Sequence, residues 1–168
     1  GGGMRTDATR VGCNATVSTF GGVGSGTIGD VSWTCPVKNT AEGLGGVLTS
    51  PFSFGAGGGG FFGNGADDIV SPVVIGTGGR SWAAGLIGGT GQNQGSCFGT
   101  GPGIGGFGGG GAGHGCYGGG GGGGYSGGDG GWIAGGGGSL NTGANPVNTP
   151  GVGTGNGFVI LQYIGPAL

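Results

Sequence analysis

Glycine fills 26 of the 40 positions from 99 to 138, including every position of the run 118–124. A stretch of this kind has almost no side chains with which to fill a core or hold a substrate. What it contributes must come from main-chain amides and carbonyls. Fixing a glycine costs about 0.5–1 kcal/mol more than fixing an alanine. The chain carries 59 of them, so its folded state needs a strong and distributed compensation. Glycine and proline also suppress α-helix throughout. The expected fold is therefore all-β with a polyglycine II helix bundle and essentially no α-helix.

Polyglycine II shares its dihedrals with polyproline II: a left-handed helix with three residues per turn and no internal hydrogen bonds. Each buried N–H and C=O must then find a partner on a neighbouring strand. Without Cβ atoms, several such helices approach closely enough to bond on more than one side. Each bond nets about 0.5–1.5 kcal/mol, and Cα–H···O contacts add to this. Short interruptions such as Tyr125-Ser126 and Gly113-His114-Gly115-Cys116-Tyr117 are expected to be turns or outer faces.

Around the glycine runs, ordinary β signals are legible. Ala15-Thr16-Val17-Ser18-Thr19-Phe20 alternates, and 27–33 is a second candidate strand. Cys13 and Cys35 flank them and would tie the two into a hairpin. Asn64-Gly65 signals a turn. Val73-Val74-Ile75 reads as a short buried strand and Ser81-Trp82-Ala83-Ala84 as another. The strongest strand is the last, with Phe158, Val159, Ile160, Leu161, Tyr163 and Ile164 in a nearly continuous apolar run. Exposed, such a strand is an association edge, so these residues are the candidate assembly strand. Two parts are expected, a disulfide-tied β-hairpin segment over 1–50 and the glycine-rich bundle with its C-terminal strand over 51–168, packed as one unit.

Four cysteines fall into two close pairs. Of three connectivities, the expected one is Cys13–Cys35 with Cys97–Cys116. Each closes a loop of about 20 residues, worth about 3 kcal/mol in the chain-entropy model. Disulfides imply an oxidising compartment, so the protein is expected to be secreted or on a surface. Asn14-Ala15-Thr16 is an N-glycosylation sequon in a glycosylating host, or a chance match in a Thr-rich strand. Beginning at Gly1 without a signal-like segment, the chain is expected to be a processed product or a piece of a longer precursor.

Charged residues make up 6% of the chain and the net charge is −2, against about 25% charged residues in an ordinary domain. No basic patch exists, which speaks against nucleic acid as a partner. No apolar run approaches the length of about 18 residues that a membrane-spanning helix needs. Catalysis needs positioned His, Ser, Cys, Asp or Glu. The single His114 lies in a glycine run, and Cys116 beside it is assigned to a disulfide. Gly63-Asn64-Gly65-Ala66-Asp67-Asp68-Ile69-Val70 partly fits a calcium-binding nonapeptide, but that motif works in tandem copies. One copy reads as a polar turn entering a strand. No phosphate-binding GxxxxGK[ST] occurs. No catalytic residue, metal ligand or cofactor is expected.

Taken in order, several segments resemble a known family. They are Pro72-Val73-Val74-Ile75-Gly76-Thr77-Gly78-Gly79-Arg80, then Gly105-Gly106-Phe107-Gly108-Gly109-Gly110-Gly111. Cys116, the run 118–124 with Tyr125-Ser126-Gly127-Gly128, and Gly155-Asn156-Gly157-Phe158-Val159-Ile160 follow. This order resembles the glycine-rich domain of the anaplastic lymphoma kinase and leukocyte tyrosine kinase ectodomains, also found in bacterial surface proteins. The resemblance spans about two-thirds of the chain and implies polyglycine II helices packed beside a β-sandwich of tumour-necrosis-factor type. It carries over no ligand residues.

The expected function is that of a non-enzymatic extracellular structural protein, a self-assembling homo-oligomer or filament subunit of a surface fibre or matrix. The alternative is a binding module for a glycan or protein ligand, such as a receptor ectodomain or a phage tail-fibre tip adhesin, with 88–103 and 143–153 as loops. An antifreeze-type bundle is the minor alternative, set back by the absence of a strict three-residue repeat. Phe61, Phe62, Trp82, Phe107, Tyr117, Tyr125, Trp132 and Tyr163 punctuate the glycine segments. They either cover the bundle or form a contact surface, since exposed aromatics anchor interfaces.

Overall fold

A computed structural model of the chain describes residues 11–49, 54–70, 72–91, 103–113 and 118–149. Regular structure is sparse among them. β1 (Asp68–Val70) and β2 (Val73–Gly76) form a two-stranded antiparallel sheet, with Ile69 opposite Val74 and Val70 opposite Val73. A register shift between Asp68 and Ile69 sets Asp68 opposite Gly76. One 3-10 turn covers Trp82–Ala84, and the described residues contain no α-helix. The rest is extended segments without strand ladders, joined by bends.

The segment 55–60 shows how those segments cohere. All of it is buried, together with Phe54. Gly57 donates to Ala66 O at 2.9 Å and accepts from Gly79 N at 3.0 Å. Gly58 donates to Gly128 O at 2.9 Å and accepts from Gly46 N at 2.7 Å. Gly59 donates to Gly109 O at 2.6 Å and accepts from Gly124 N at 3.2 Å. Three consecutive residues thus bond to six different segments. Three residues back the pattern recurs, since Ala56 donates to Ala112 O and accepts from Gly121 N. Ala56 and Gly59 therefore face the same pair of neighbours, the segments through 109–112 and 121–124.

Such proximity leaves no room for side chains. A Cβ on Gly57 would lie 2.1 Å from Gly46 O, and one on Gly58 2.2 Å from Gly122 O. In glycine the Cα–H takes that direction and meets the carbonyl oxygen instead, the geometry of a weak Cα–H···O contact. The interior consequently holds few large side chains. Phe54, Ile75, Ile133 and Cys13 are buried, with Ala56, Ala112 and Ala134 wholly inaccessible. The largest fully buried side chains are Asp68, Ser25 and Ser126. A domain interior is ordinarily filled by apolar side chains; this one is filled by peptide groups.

A second set of segments wraps this centre. Gly22 donates to Gly136 O and accepts from Asp129 N, and Ser25 exchanges bonds with Ile133 and Trp132. Cys13 and Thr16 donate to Ala134 O and Gly137 O. The 43–47 stretch reaches from the N-terminal part into the glycine-rich part, where Leu44 O accepts from Gly127 N and Val47 O from Gly130 N.

The Cys13–Cys35 disulfide is formed, with the Cα atoms 5.6 Å apart. The hairpin expected around it is not. Residues 15–20 are irregular because Thr16 Oγ1 donates to Ser18 O and Phe20 O, drawing the backbone into a bend. Within 27–33 the chain reverses at Thr27–Asp30, with Gly29 at φ 82° and Asp30 accepting from Ser25 Oγ and Ser32 N. The pairing between the cysteines' neighbours instead joins Gly21 and Val23 to Lys38 and Pro36.

Three further expectations change in the same region of the fold. Val73-Val74-Ile75 is a strand, but only Ile75 turns inward; Val73 and Val74 stay exposed. Residues 81–84 form the 3-10 turn rather than a strand, because Gly85 in the left-handed region (φ 88°) caps it by donating to Trp82 O. The reversal expected at Asn64-Gly65 falls at 61–63, closed by Gly60 N to Gly63 O. Cys97, Cys116 and the candidate strand of Phe158, Val159, Ile160, Leu161, Tyr163 and Ile164 lie outside the described residues.

Two substitutions separate interior from surface glycine. Gly58→Ala forces a methyl into a carbonyl and should cost about 3 kcal/mol or more. Gly106→Ala, where nothing lies within 4 Å of the new Cβ, should leave the denaturant midpoint unchanged. Cys13→Ala/Cys35→Ala should cost about 3 kcal/mol, read from the same denaturation curves.

Candidate functional site at the aromatic end

Four segment reversals that are bonded to one another carry a group of large side chains. One is 61–63, with Phe61 and Phe62. Another is Trp82–Ala84, continuing to Leu86. A third is 107–109, and a fourth is 124–126 with Tyr125. Main-chain bonds lash these reversals together. Phe61 N donates to Tyr125 O at 2.7 Å, Trp82 N to Gly60 O at 3.3 Å, and Gly108 N and Gly109 N to Leu86 O. Phe62 N donates to Gly43 O and Tyr125 N to Gly138 O, both at 2.8 Å. Bulky residues sit here because a reversal at the end of a segment is where a side chain escapes the close approach of neighbouring backbones.

Phe61 is the hub of a ring cluster. Its centroid lies 5.0 Å from Phe62 at 87°, 5.8 Å from Trp82 at 18°, and 6.0 Å from Tyr125 at 34°. Phe62 and Tyr125 meet edge to face at 6.3 Å. These are the offset and T-shaped arrangements that aromatic quadrupoles favour, worth about 0.5–1.5 kcal/mol per pair beyond burial. The cluster is nonetheless open to solvent: Phe62 is 66% exposed and Trp82 61%. Phe61, Trp82, Tyr125, Leu86 and Leu140 enclose a cavity of about 450 Å³ floored by glycine backbone. No charged side chain lines it. Such a surface can stack on a flat apolar face and take the polar edges of a ligand through backbone amides.

The other aromatic residues separate from this group. Phe54 and Trp132 pack edge to face at 5.6 Å. Phe107 stands 92% exposed. Tyr117, Tyr163 and His114 lie outside the described residues. Asn14 is exposed, while the sequon's Thr16 hydroxyl is engaged with main-chain carbonyls.

The candidate calcium turn does other work. Asp67 Oδ1 accepts from Gly78 N at 2.8 Å, and Asp68 is buried in β1. Among the described residues no three His, Cys, Asp or Glu side chains converge as a metal site. No described helix is long and apolar enough to cross a membrane.

One structural pair escaped the sequence reading. The Lys38 ammonium contacts the Asp129 carboxylate and donates to Gly127 O at 3.1 Å. Asp129 Oδ1 also accepts from Val47 N at 2.8 Å. Both side chains are nearly inaccessible, at 11% and 4%. The segments around 38, 47 and 127–130 all meet at this one carboxylate. The signal lay in the composition: a chain with so few charges has little reason to bury one unless it is paired.

Neither a family model, nor a curated protein, nor a solved structure matches the chain.

Lys38→Met removes one partner and leaves Asp129 enclosed without its counter-charge. That should cost about 3 kcal/mol in chemical denaturation, while the fluorescence of the Trp82 cluster stays native below the transition.

Proposed function

We propose that the protein is a non-enzymatic extracellular scaffold whose polyglycine II lattice displays the aromatic end as a binding surface. The three-residue recurrence supports the lattice, since Ala56 and Gly59 return to the same two neighbours. The Cys13–Cys35 bridge accords with an oxidising compartment. The observation that carries the function is the ring cluster. Phe61, Phe62, Trp82 and Tyr125 come from three separate reversals and are held together by main-chain bonds, yet two of them remain largely in solvent. Rings fixed before contact lose little conformational freedom on binding, and Trp and Tyr dominate binding hot spots. The surface suits a partner that offers a flat apolar face, such as a pyranose ring of a glycan or an apolar side chain of a protein. This is the reading of a receptor-like or adhesin-like module, and it accords with the resemblance to the glycine-rich receptor domains.

Assembly into a homo-oligomer or fibre is the second reading. Ile104 and Phe107, 72% and 92% exposed and outside the ring cluster's mutual contacts, favour it. Electron microscopy of the purified protein separates the two: discrete particles for the module, filaments with a helical repeat for the fibre.

On the binding reading, Trp82→Ala lowers affinity for a ligand selected from a glycan array or a surface-protein library at least tenfold, about 1.4 kcal/mol. Its melting temperature should stay close to that of the parent, because the ring is mostly in solvent. Unchanged affinity in both Trp82→Ala and Phe62→Ala would remove the aromatic end from the function.

A further inference from the structure

The cavity at the ring cluster combines apolar side chains with main-chain groups that the fold does not consume. Gly108, Gly123 and Gly124 belong to its lining, and each is half-buried. Among the described residues, Gly123 N–H has no acceptor, and neither Gly108 O nor Gly124 O accepts from an N–H or O–H. Gly108 O meets only the Cα–H side of Gly123. The neighbouring amides are all engaged: Gly121 donates to Ala56 O, Gly122 to Gly135 O and Gly124 to Gly59 O. The lining therefore holds one main-chain donor and two acceptors in reserve, and no charged side chain.

These groups discriminate between occupants. An apolar side chain of a protein would strip water from them and return no hydrogen bond, which is costly. An ionised ligand would leave water without meeting a counter-charge. An uncharged pyranose ring suits every part. Its C–H groups carry slight positive charge and stack on the negative face of an aromatic ring. Its hydroxyls accept from an amide and donate to carbonyls. Trp82 supplies the aromatic face, stacked on Phe61 at 18° and still 61% exposed. The cavity, about 450 Å³, has the size of a small-molecule site.

Leu86 fixes the wall against the glycine lining. Its φ is 55°, in the left-handed region that leucine rarely adopts. Leu86 N donates to Ser81 O across the Trp82–Ala84 turn, and Leu86 O accepts from Gly108 N and Gly109 N. The strained residue thus ties the turn that carries Trp82 to the segment that carries Gly108. Strain of this kind collects at ligand-binding positions.

We propose that this cavity binds one pyranose ring of an uncharged oligosaccharide, stacked on Trp82 with its hydroxyls on Gly123 N–H and on the Gly108 and Gly124 carbonyls. The proposal rests on the binding reading above and narrows its ligand to a neutral sugar.

The test applies the full chain to an array of neutral and acidic glycans, then titrates it by calorimetry with maltohexaose, cellohexaose and N-acetylchitohexaose. A neutral oligosaccharide should bind and shift the NMR resonance of the Gly123 amide, while those of Gly57 and Gly58 stay in place. Trp82→Phe, which keeps a stacking face, should retain binding, and Trp82→Ala should weaken it about tenfold or more. Preference for acidic over neutral glycans overturns the proposal, as does neutral-sugar binding that leaves the Gly123 amide unmoved. Should no neutral glycan bind while a displayed apolar peptide is captured through Trp82, the sugar assignment falls and the binding surface stands. Should neither bind through Trp82, both fall.

Discussion

A backbone N–H or C=O removed from water must be paired, and in a glycine run nothing else is available to stabilise the fold. That requirement organises this molecule. Extended glycine segments cannot pair within themselves, so each must be surrounded. Around 56–59 the surrounding is close: Gly57, Gly58 and Gly59 each meet a different pair of neighbours, and Ala56 meets the pair that Gly59 does. The absence of side chains is what allows the approach, and the approach supplies the bonds that offset the entropy of ordering glycine. The two cannot be separated. A methyl group at Gly57 or Gly58 would displace the neighbour whose bonds hold the segment in place.

From this follows where chemistry can reside. An interior of peptide groups admits alanine at Ala56, Ala112 and Ala134 and a few small polar side chains. Those polar groups are fasteners between segments. Ser126 accepts from Gly43 N and donates to Thr19 O, and Asp129 joins Lys38 to Val47. Larger residues are excluded toward reversals and rims. The ring cluster and the exposed Ile104 and Phe107 are two outcomes of the same exclusion. Both put apolar surface in water, a state that is costly unless something covers it.

The sequence made the composition of the interior legible but not its connections. The disulfide followed from cysteine spacing, and the Val73-Val74-Ile75 strand from β-branched residues, because in both cases side chains carry the information. The bend at Tyr125-Ser126 could be read as an interruption of a glycine run. Segments 15–20 and 27–33 were misleading because local hydroxyl and carboxylate bonds, from Thr16 and Asp30, outcompeted strand pairing. The turn at Trp82–Ala84 depended on a left-handed Gly85, and one glycine among 59 gives no hint of its φ. The ring cluster was named residue by residue, yet its assembly was hidden. Phe61, Trp82 and Tyr125 are neighbours only through the register of glycine segments, and glycine segments carry no marks of register.

That same lack of marks raises a question of uniqueness: within a glycine run the residues are identical, so the run itself does little to choose one register over another. The fasteners answer it. Asn64 Oδ1 accepting from Ser81 N, Asp67 Oδ1 from Gly78 N, and Asp129 Oδ1 from Val47 N each match one residue of a segment to one residue of another. A slip would break each of these matches, at greatest cost for Asp129, which is buried. The few charged and amide side chains of the chain therefore select a single register among many of nearly equal backbone energy. The lattice supplies cohesion without specificity, the fasteners supply specificity with little cohesion, and the geometry of the aromatic end depends on both.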